Sequence, residues 1–214
     1  MTEPGGAPFT VLMVCTGNIC RSPVAERLLR AQTEAVGLPV VVHSAGTQSM
    51  VGHGMTPEAA HLAEHYGADP LDHHSKQLTE QQIREADLIL TATREHRSKV
   101  VSQYPRAARY TYTLNQFARL LPTAVESLAD PDKLTTTLVE PVETPQPDLA
   151  TQLRALVAEV AATRGFSPPP LHPDDDDIED PYRQSTAVYA RVGTILNDTV
   201  TRITEAFAAA TRTR

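Results

Sequence analysis

The sequence predicts an α/β fold in which a doubly wound, four-stranded parallel sheet carries helices on both faces. Two observations lead to this prediction. Short apolar runs rich in β-branched residues alternate with amphipathic segments over residues 9–121. Hydroxyl residues and prolines precede amphipathic segments, and glycines follow two of them, as at helix starts and ends. Such sheets use right-handed crossovers and bind ligands at the carboxyl ends of their strands.

The elements follow one another as strand and helix in turn. The first run, FTVLMVC at 9–15, is apolar at successive positions, which is typical of a strand buried on both faces. Ser22 and Pro23 predict a helix start with a capping hydroxyl, and Gly37 predicts its end. Further strands are predicted over 40–43, 87–92 and 109–113. Further helices are predicted over 56–67, 95–104 and 115–121.

Residues 122–173 differ in composition from the rest of the chain, because they hold nine of its 17 prolines. We predict an insertion here, partly helical and partly proline-rich, within a single domain of residues 1–214. Its helix is predicted over 148–164 by apolar residues that share one helical face: Leu149, Leu153, Leu156, Val157 and Val160. The prolines 168–170 predict a stiff extended linker, and a last helix is predicted over 185–210.

The acidic charge of the chain is local. The formal net charge is −7, and six carboxylates stand in residues 174–180, so the remainder carries only −1. Without a basic face, the chain is not expected to bind nucleic acid. No stretch approaches the roughly 18 apolar residues of a membrane span, and residues 1–10 lack the pattern of a secretory signal. With only Cys15 and Cys20 there is no disulfide framework, which favours the cytoplasm.

The turn after the first strand, CTGNICRS at residues 15–22, is the strongest candidate for a functional site. The five residues between its cysteine and its arginine can curl so that backbone N–H groups form a nest for an anion. Gly17 permits backbone angles that side chains resist, and Asn18 tolerates the left-handed region. Arg21 can fork onto two oxygens of a tetrahedral oxyanion. We therefore predict a phosphate-binding loop after the first strand.

The same loop predicts a reactive thiol. Its N–H groups and the following helix dipole would stabilise Cys15 as a thiolate, which is a nucleophile, and Ser22 could donate its hydroxyl to the sulfur. Two alternatives stay open at this point. In the first, Cys15 is only a small buried apolar residue and Arg21 only a surface cation. In the second, Cys15 and Cys20 bind a metal ion. The metal site has weak support, because one Cys-x4-Cys pair without an adjacent histidine supplies too few ligands.

Residues 14–23, VCTGNICRSP, closely resemble the signature loop of the low-molecular-weight protein-tyrosine phosphatases. That family also carries an Asp-Pro-Tyr element late in the chain, and this chain has one at 180–182. Smaller matches are SAGT at 44–47 and HHSKQ at 73–77. The resemblance covers roughly 9–121 and 178–210 and leaves the insertion out.

The resemblance implies a two-step phosphatase mechanism without a cofactor or a metal. Cys15 would attack phosphorus to form a phosphocysteine, while Arg21 and the loop amides hold the phosphate oxygens. Asp180 would protonate the leaving tyrosine oxygen and then take a proton from the attacking water. The implied partner is a phosphotyrosine protein, which for bacterial relatives is commonly a tyrosine autokinase. Neither nucleic acid nor a membrane is an expected partner.

The resemblance also assigns supporting roles. By this carry-over the substrate-binding residues are Thr16, Gly17, Asn18, Ile19, Cys20, Ser22, Met50 and Tyr182. Ser44 and His73 would hold the loop in shape by hydrogen bonds to it. Cys20 would form a reversible disulfide with Cys15 and so provide an oxidation switch.

The chain departs from the family pattern around the predicted binding cleft. Met50 stands where many members have an aromatic wall residue, and Thr16 replaces a larger apolar one, which predicts weaker selectivity for phosphotyrosine. Arg183 follows Tyr182 where some members have a second tyrosine, and it brings a cation near the cleft. The insertion either covers the cleft, carries a partner surface, or is a surface elaboration without catalytic consequence.

Two other functions fit parts of the pattern. Thiol-cofactor-dependent arsenate reductases of the same fold use the same cysteine and arginine. Their substrate, arsenate, has no aryl leaving group that an acid such as Asp180 would protonate. An inactive phosphoprotein-binding module would not need Cys15, Arg21 and Asp180 together.

The acidic run suggests a further role, because neighbouring carboxylates disfavour one another's ionisation. We therefore expect Asp177 and Glu179 to help keep Asp180 protonated.

Overall fold

The computed structural model of this protein describes residues 7–129 and 147–212. Its four strands form one parallel sheet in the order β2-β1-β3-β4. The strands are β1 (Phe9–Cys15), β2 (Val40–Gly46), β3 (Leu88–Thr91) and β4 (Thr111–Thr113). This arrangement confirms the predicted fold class, and it makes β1 an internal strand whose carboxyl end lies between those of β2 and β3.

Seven α-helices are described, together with two short 3₁₀ helices at Pro105–Arg109 and Pro173–Asp176. The α-helices are α1 (Arg21–Ala35), α2 (Pro57–His65), α3 (Glu80–Glu85), α4 (Arg94–Gln103), α5 (Leu114–Ala129), α6 (Leu149–Thr163) and α7 (Thr186–Arg212). Among the described residues, no helix combines the length and apolar character needed to cross a membrane.

The side chains of β1 alternate between two apolar cores, as strand geometry requires. Phe9, Val11 and Met13 join the larger core, which also holds buried residues of α1, α5, α6 and α7. Leu12 and Val14 face the smaller core, which holds residues of α3 and α4. Both faces of the sheet are therefore covered, and the rigid core holds the end of β1 in place.

Helix α6 of the predicted insertion packs into the larger core. Leu153, Leu156 and Val160 are fully buried, and Asp148 caps the helix by accepting from the amide of Thr151. We propose that α6 is an integral part of one folded domain rather than a surface addition. The insertion residues 130–146 lie outside the described part of the chain.

Two predicted boundaries are wrong. The first helix begins at Arg21, so Ser22 is not its cap; Cys20 holds the cap position without a side-chain hydrogen bond. The fourth predicted helix runs through Pro122 to Ala129 as α5, because buried residues on both sides of the proline, Leu121 and Ala124, continue its apolar face. Tertiary packing here outweighs the loss of one backbone hydrogen bond.

The short helix α3 was not predicted. Its amino terminus carries a capping box, in which Thr79 accepts from the Gln82 amide and the Gln82 side chain accepts from the Thr79 amide. A helix of six residues shows too little periodicity to be recognised, although the Thr-x-x-Gln spacing signals its start.

The integral role of α6 predicts that Leu156→Ala lowers the free energy of unfolding by about 2–5 kcal/mol, the usual loss for a buried leucine. Leu171→Ala is the matched control, because Leu171 is 92% exposed whereas Leu156 is 0% exposed. The control should change the free energy by about 0.5 kcal/mol or less. Chemical denaturation measures both, and similar values for the two variants would contradict the integral role.

Candidate active site

The loop of residues 16–20 joins the carboxyl end of β1 to the start of α1. Cys15 ends the strand and is paired in register with Gly46 of β2. The loop passes so close to β2 that a Cβ atom at Gly46 would lie 2.4 Å from the Thr16 carbonyl oxygen. Position 46 therefore requires glycine. Asn18 adopts a positive φ of 56°, which asparagine tolerates better than most residues.

Every backbone carbonyl from Cys15 to Cys20 is bound by a neighbouring group. The carbonyls of Cys15, Thr16 and Gly17 accept from the amides of Thr47, Gln48 and Met50 at 2.9, 3.0 and 3.0 Å. The remaining three are paired with His73 Nε2, the Thr56 amide and the Val24 amide, at 2.7, 3.0 and 3.2 Å.

This carbonyl pattern fixes the direction of the loop amides. The N–H of a trans peptide points away from its carbonyl, and the described chain has no cis peptide bonds. The N–H groups of residues 16–21 therefore face away from the partners that hold the carbonyls. Within residues 7–129 and 147–212, none of the amides of 16–20 donates to a protein acceptor. The loop thus has the geometry of an anion nest.

Asn18 is the buried centre of the loop's side-chain hydrogen bonds. Its Nδ2 donates to Ser22 Oγ (2.9 Å) and to Ser44 Oγ (2.8 Å), and its Oδ1 accepts from the Lys76 amide (2.9 Å). The Lys76 contact fixes which side of the amide carries the oxygen. Ser44 in turn donates to Glu26 Oε2 at 2.5 Å. One asparagine therefore connects the loop to α1, to β2 and to the segment before α3.

Two residues of this support were not found from the sequence. Buried Glu26 accepts from Ser44 and pairs with Arg30 at 2.5 Å, yet its spacing to Arg30 indicates only a helical ion pair. His96 Nε2 lies 2.8 Å from Thr16 Oγ1, and its Nδ1 lies 2.7 Å from Thr93 Oγ1. No motif in the sequence indicates this contact.

The two histidines at the loop are buried. His73, and not the exposed His74, contacts the loop, and its Nε2 must carry a proton because the Asn18 carbonyl can only accept. Burial lowers the pKa of His73. Burial, followed by the positive charge of Arg21, lowers the pKa of His96 to about 4. His96 is therefore neutral near pH 7 and links Thr16 to α4 by hydrogen bonds.

Cys15 is buried, and its Sγ lies 2.9 Å from Ser22 Oγ. Ser22 Oγ already accepts from Asn18 Nδ2, so its own hydrogen is available to the sulfur. A hydroxyl that donates to sulfur stabilises a thiolate over a thiol. This contact explains why Ser22 is not used as a helix cap.

Cys20 lies in a different environment. Its Sγ contacts Thr56 Oγ1 at 3.5 Å and the Tyr189 hydroxyl at 3.6 Å, and both cysteines are free. Burial raises the pKa of the Cys20 thiol and raises that of Tyr189 to about 12. The disulfide between Cys15 and Cys20 remains a prediction.

Arg21 connects the loop to the acidic run. The buried guanidinium donates from one terminal nitrogen to the Ile178 carbonyl (3.0 Å) and from the other to Asp180 Oδ2 (2.6 Å). Its Nε is buried without a partner in the described part of the chain. A guanidinium has more N–H groups than these two bonds use, so donors remain for an anion in the loop.

Two apolar side chains lie partly exposed beside the loop. Met50 donates its amide to Gly17, and Tyr182 donates its amide to Asp180 Oδ1 at 3.2 Å. Each is 37% exposed. The Arg183 guanidinium lies 5.1 Å from the centre of the Tyr182 ring. The roles of Met50 and Tyr182 as walls of a binding cleft remain predictions.

Four arginines pair with five of the six carboxylates of the acidic run, residues 174–180, which we call the acid strap. The pairs are Asp174 and Asp177 with Arg94 (2.5 and 3.0 Å), Asp176 with Arg119 (2.9 Å), Glu179 with Arg191 (2.6 Å) and Asp180 with Arg21 (2.6 Å). The expectation that Asp177 and Glu179 keep Asp180 protonated is not supported, because Asp177, Glu179 and Asp180 are each paired with an arginine.

The arrangement brings together a thiol, a hydroxyl donor to that thiol, an anion nest, a guanidinium and a carboxyl group. This set suits the transfer of a tetrahedral oxyanion to sulfur. No group of three or more metal-ligating side chains lies within residues 7–129 and 147–212.

Comparison with known proteins agrees with this geometry. The chain matches the family model of the low molecular weight phosphotyrosine protein phosphatases over residues 10–165. It is 40% identical over 108 residues to the protein-arginine-phosphatase of Bacillus subtilis (strain 168), an alignment covering 50% of this chain and 71% of that protein. It is 38% identical over 108 residues to the low molecular weight protein-tyrosine-phosphatase Etp of Escherichia coli (strain K12), covering 50% and 70%.

Solved structures show the same likeness. The low molecular weight protein tyrosine phosphatase from T. tengcongensis superposes with a TM-score of 0.62 at 27% identity, covering 92% of this chain and 98% of that one. The YwlE arginine phosphatase from Geobacillus stearothermophilus gives 0.60 at 26% identity, covering 92% of each chain. Since the family model matches most of the chain and these relatives agree with it, this protein belongs to the low molecular weight phosphotyrosine protein phosphatase family.

Proposed function

We propose that this protein hydrolyses phosphotyrosine in proteins through a phosphocysteine on Cys15. The observation that carries the proposal is the loop between Cys15 and Arg21, in which the carbonyls of residues 15–20 are all bound by other groups, so that the loop amides face away from those groups. Asp180 lies beyond the residues that the family model matches, and its role rests on its ion pair with Arg21.

In the first step, Cys15 Sγ attacks phosphorus and the bond between phosphorus and the phenolic oxygen breaks. Arg21 and the loop amides hold the equatorial oxygens, where negative charge spreads in the transition state. Tyrosine has a pKa of about 10, so its oxygen leaves more readily with a proton. Asp180, protonated in the competent form, supplies that proton and becomes a carboxylate.

In the second step, water attacks the phosphorus of the phosphocysteine and the sulfur leaves as a thiolate. Asp180, now ionised, accepts a proton from the water, and inorganic phosphate is the product. Ser22 donates its hydroxyl to the departing sulfur, from its distance of 2.9 Å. At the end of the cycle Asp180 again carries its proton and Cys15 is again a thiolate, so the reaction needs no cofactor.

The walls of the cleft favour an aromatic leaving group over a guanidinium. Tyr182 offers a ring face and Met50 a thioether, both of which pack well on a phenol ring. A phosphoarginine side chain keeps a positive charge, and Arg183 over the Tyr182 ring would repel it. Phosphoarginine remains the second candidate substrate, because one relative is a protein-arginine-phosphatase.

The partner we propose is a phosphotyrosine protein, and among these a tyrosine autokinase, in the cytoplasm. An arsenate reductase is not favoured, because the matching family is a phosphatase family. An inactive phosphoprotein-binding module would have no use for an Arg21–Asp180 pair beside a thiol that accepts from Ser22.

The mechanism predicts that Cys15→Ser lowers kcat for p-nitrophenyl phosphate by at least about a thousandfold. Asp180→Asn should lower it by about a hundredfold, because kcat includes the second step, in which Asp180 is the base. Asp198→Asn is the matched control, since Asp198 is exposed on α7, and it should retain wild-type activity. Thiol-dependent arsenate reduction by a wild type without phosphatase turnover would contradict the proposal. A wild type inactive in both assays would instead indicate the binding module.

Substrate class is tested with two peptides that differ only in carrying phosphotyrosine or phosphoarginine. We expect kcat/KM to be at least about a hundredfold higher for phosphotyrosine. Tyr182→Ala should lower kcat/KM for the phosphotyrosine peptide about tenfold, the usual worth of one aromatic contact. A preference for phosphoarginine would overturn the assignment of the leaving group while leaving the role of Cys15 intact.

A further inference from the structure

The acid strap determines where Asp180 lies, because Asp180 has little packing of its own. Its side chain is 51% exposed, and its direct contacts are the Arg21 guanidinium and the Tyr182 amide. An exposed carboxyl held by one ion pair is not fixed to within the fraction of an ångström that proton transfer requires. Its position must be set by the backbone that leads to it.

Ile178, two residues before Asp180, is the buried anchor of that backbone. It is 0% exposed, its amide donates to the carbonyl of Ala92, the residue after β3 (2.8 Å), and its carbonyl accepts from Arg21 (3.0 Å). Ile178 therefore holds the strap against the sheet on one side and against the phosphate-binding guanidinium on the other.

Asp177, next to this anchor, makes the densest set of polar contacts in the strap. Its Oδ1 accepts from the Arg94 amide at 2.7 Å, which is the first N–H of α4. The Arg94 guanidinium bonds both carboxylate oxygens, with Nε 3.2 Å from each and the terminal nitrogen 3.0 Å from Oδ2. The same nitrogen reaches Asp174 at 2.5 Å.

These contacts orient the strap as well as hold it. A forked guanidinium fixes the plane of a carboxylate, and the amino end of a helix favours its negative charge. Arg94 and Asp177 thus hold the backbone immediately before Ile178 in one orientation, relative to the same α4 that carries His96 against the loop.

We propose that Arg94 and Asp177 are positioning residues that aim Asp180 at the leaving-group oxygen. This inference rests on the proposed role of Asp180 as the general acid. The pair touches neither substrate nor the reacting atoms, and it acts through Ile178 and the two residues that follow it. Its loss lets the carboxyl move away from the line of proton transfer while the loop and Cys15 stay in place.

A positioning role has a signature that a structural role lacks. A displaced acid slows departure of a basic oxygen, whereas an oxygen that leaves without a proton is hardly affected. Phenyl phosphate releases phenol, with a pKa of about 10, and p-nitrophenyl phosphate releases the far less basic nitrophenolate. The parameter kcat/KM reports the first step, in which the leaving group departs. The ratio of kcat/KM for the two substrates therefore measures how well the acid is aimed.

The experiment compares wild type, Asp177→Asn and Arg94→Gln on both substrates. We expect kcat/KM for phenyl phosphate to fall about tenfold in each variant, and that for p-nitrophenyl phosphate to fall by less than about twofold. The double variant should show no more loss than either single one, because both disrupt the same forked ion pair. Because each ratio is taken on one preparation, any unfolded fraction cancels from it.

Arg84→Gln is the matched control, because Arg84 also forms a partly exposed arginine–carboxylate ion pair, with Glu80 on α3, away from the strap. Its substrate ratio should equal that of the wild type. Equal losses on both substrates in Asp177→Asn, or no loss on either, would overturn the positioning role. A wild type that hydrolyses neither substrate would overturn the proposed function itself and the positioning role with it.

Discussion

The outward binding of six consecutive carbonyls is the constraint on which the site depends. A loop of five residues between a strand and a helix has no regular hydrogen bonds of its own, and its amides and carbonyls compete for the same space. Amides of the residues after β2, of the start of α2 and of α1, together with His73, bind the carbonyls, so the loop amides face the other way. Asn18 adds a positive φ and links Ser22 and Ser44. An anion in this nest meets donors that are already oriented, which is how preorganised sites stabilise developing charge.

The proposed mechanism also requires a carboxyl group next to the phosphate-binding loop. Ion pairs between the acid strap and arginines of several helices hold this carboxyl group there. The acid strap follows a proline-rich segment and has few apolar side chains to bury, with Ile178 the exception. Arginines on α1, α4, α5 and α7 bind its carboxylates, so four elements converge on one short segment. Exposed ion pairs contribute little stability one by one, but a forked pair next to a buried backbone anchor specifies geometry.

Much of the fold follows from the sequence, because strand and helix periodicities are strong between residues 9 and 121 and Gly and Pro mark many ends. The failures have physical causes. Ser22 has the sequence of a helix cap, but its hydroxyl is needed by Cys15, and this competition is invisible without the loop geometry. Pro122 predicts a helix boundary, but α5 continues past it because residues on both sides of the proline are buried in the core.

The candidate site was likewise predictable from the sequence only in part. Cys15, Arg21, Asn18 and Ser44 stand in a recognisable order, whereas His96 and Arg94 act through contacts that span about 80 residues of sequence or more. The acidic run is evident in the sequence, but its pairing with arginines was not predicted, because these arginines are scattered along the chain.

The central claim is that Cys15 takes the phosphoryl group from the substrate. The direct test is rapid mixing of wild-type protein with a phosphotyrosine peptide, quenching within the first turnover, and mapping of the peptides by mass. The proposed mechanism predicts one added phosphoryl group on the peptide that contains Cys15, formed at the rate at which the dephosphorylated tyrosine peptide is released. Tyrosine release without a phosphorylated protein, or a phosphoryl group on any other residue, would contradict it.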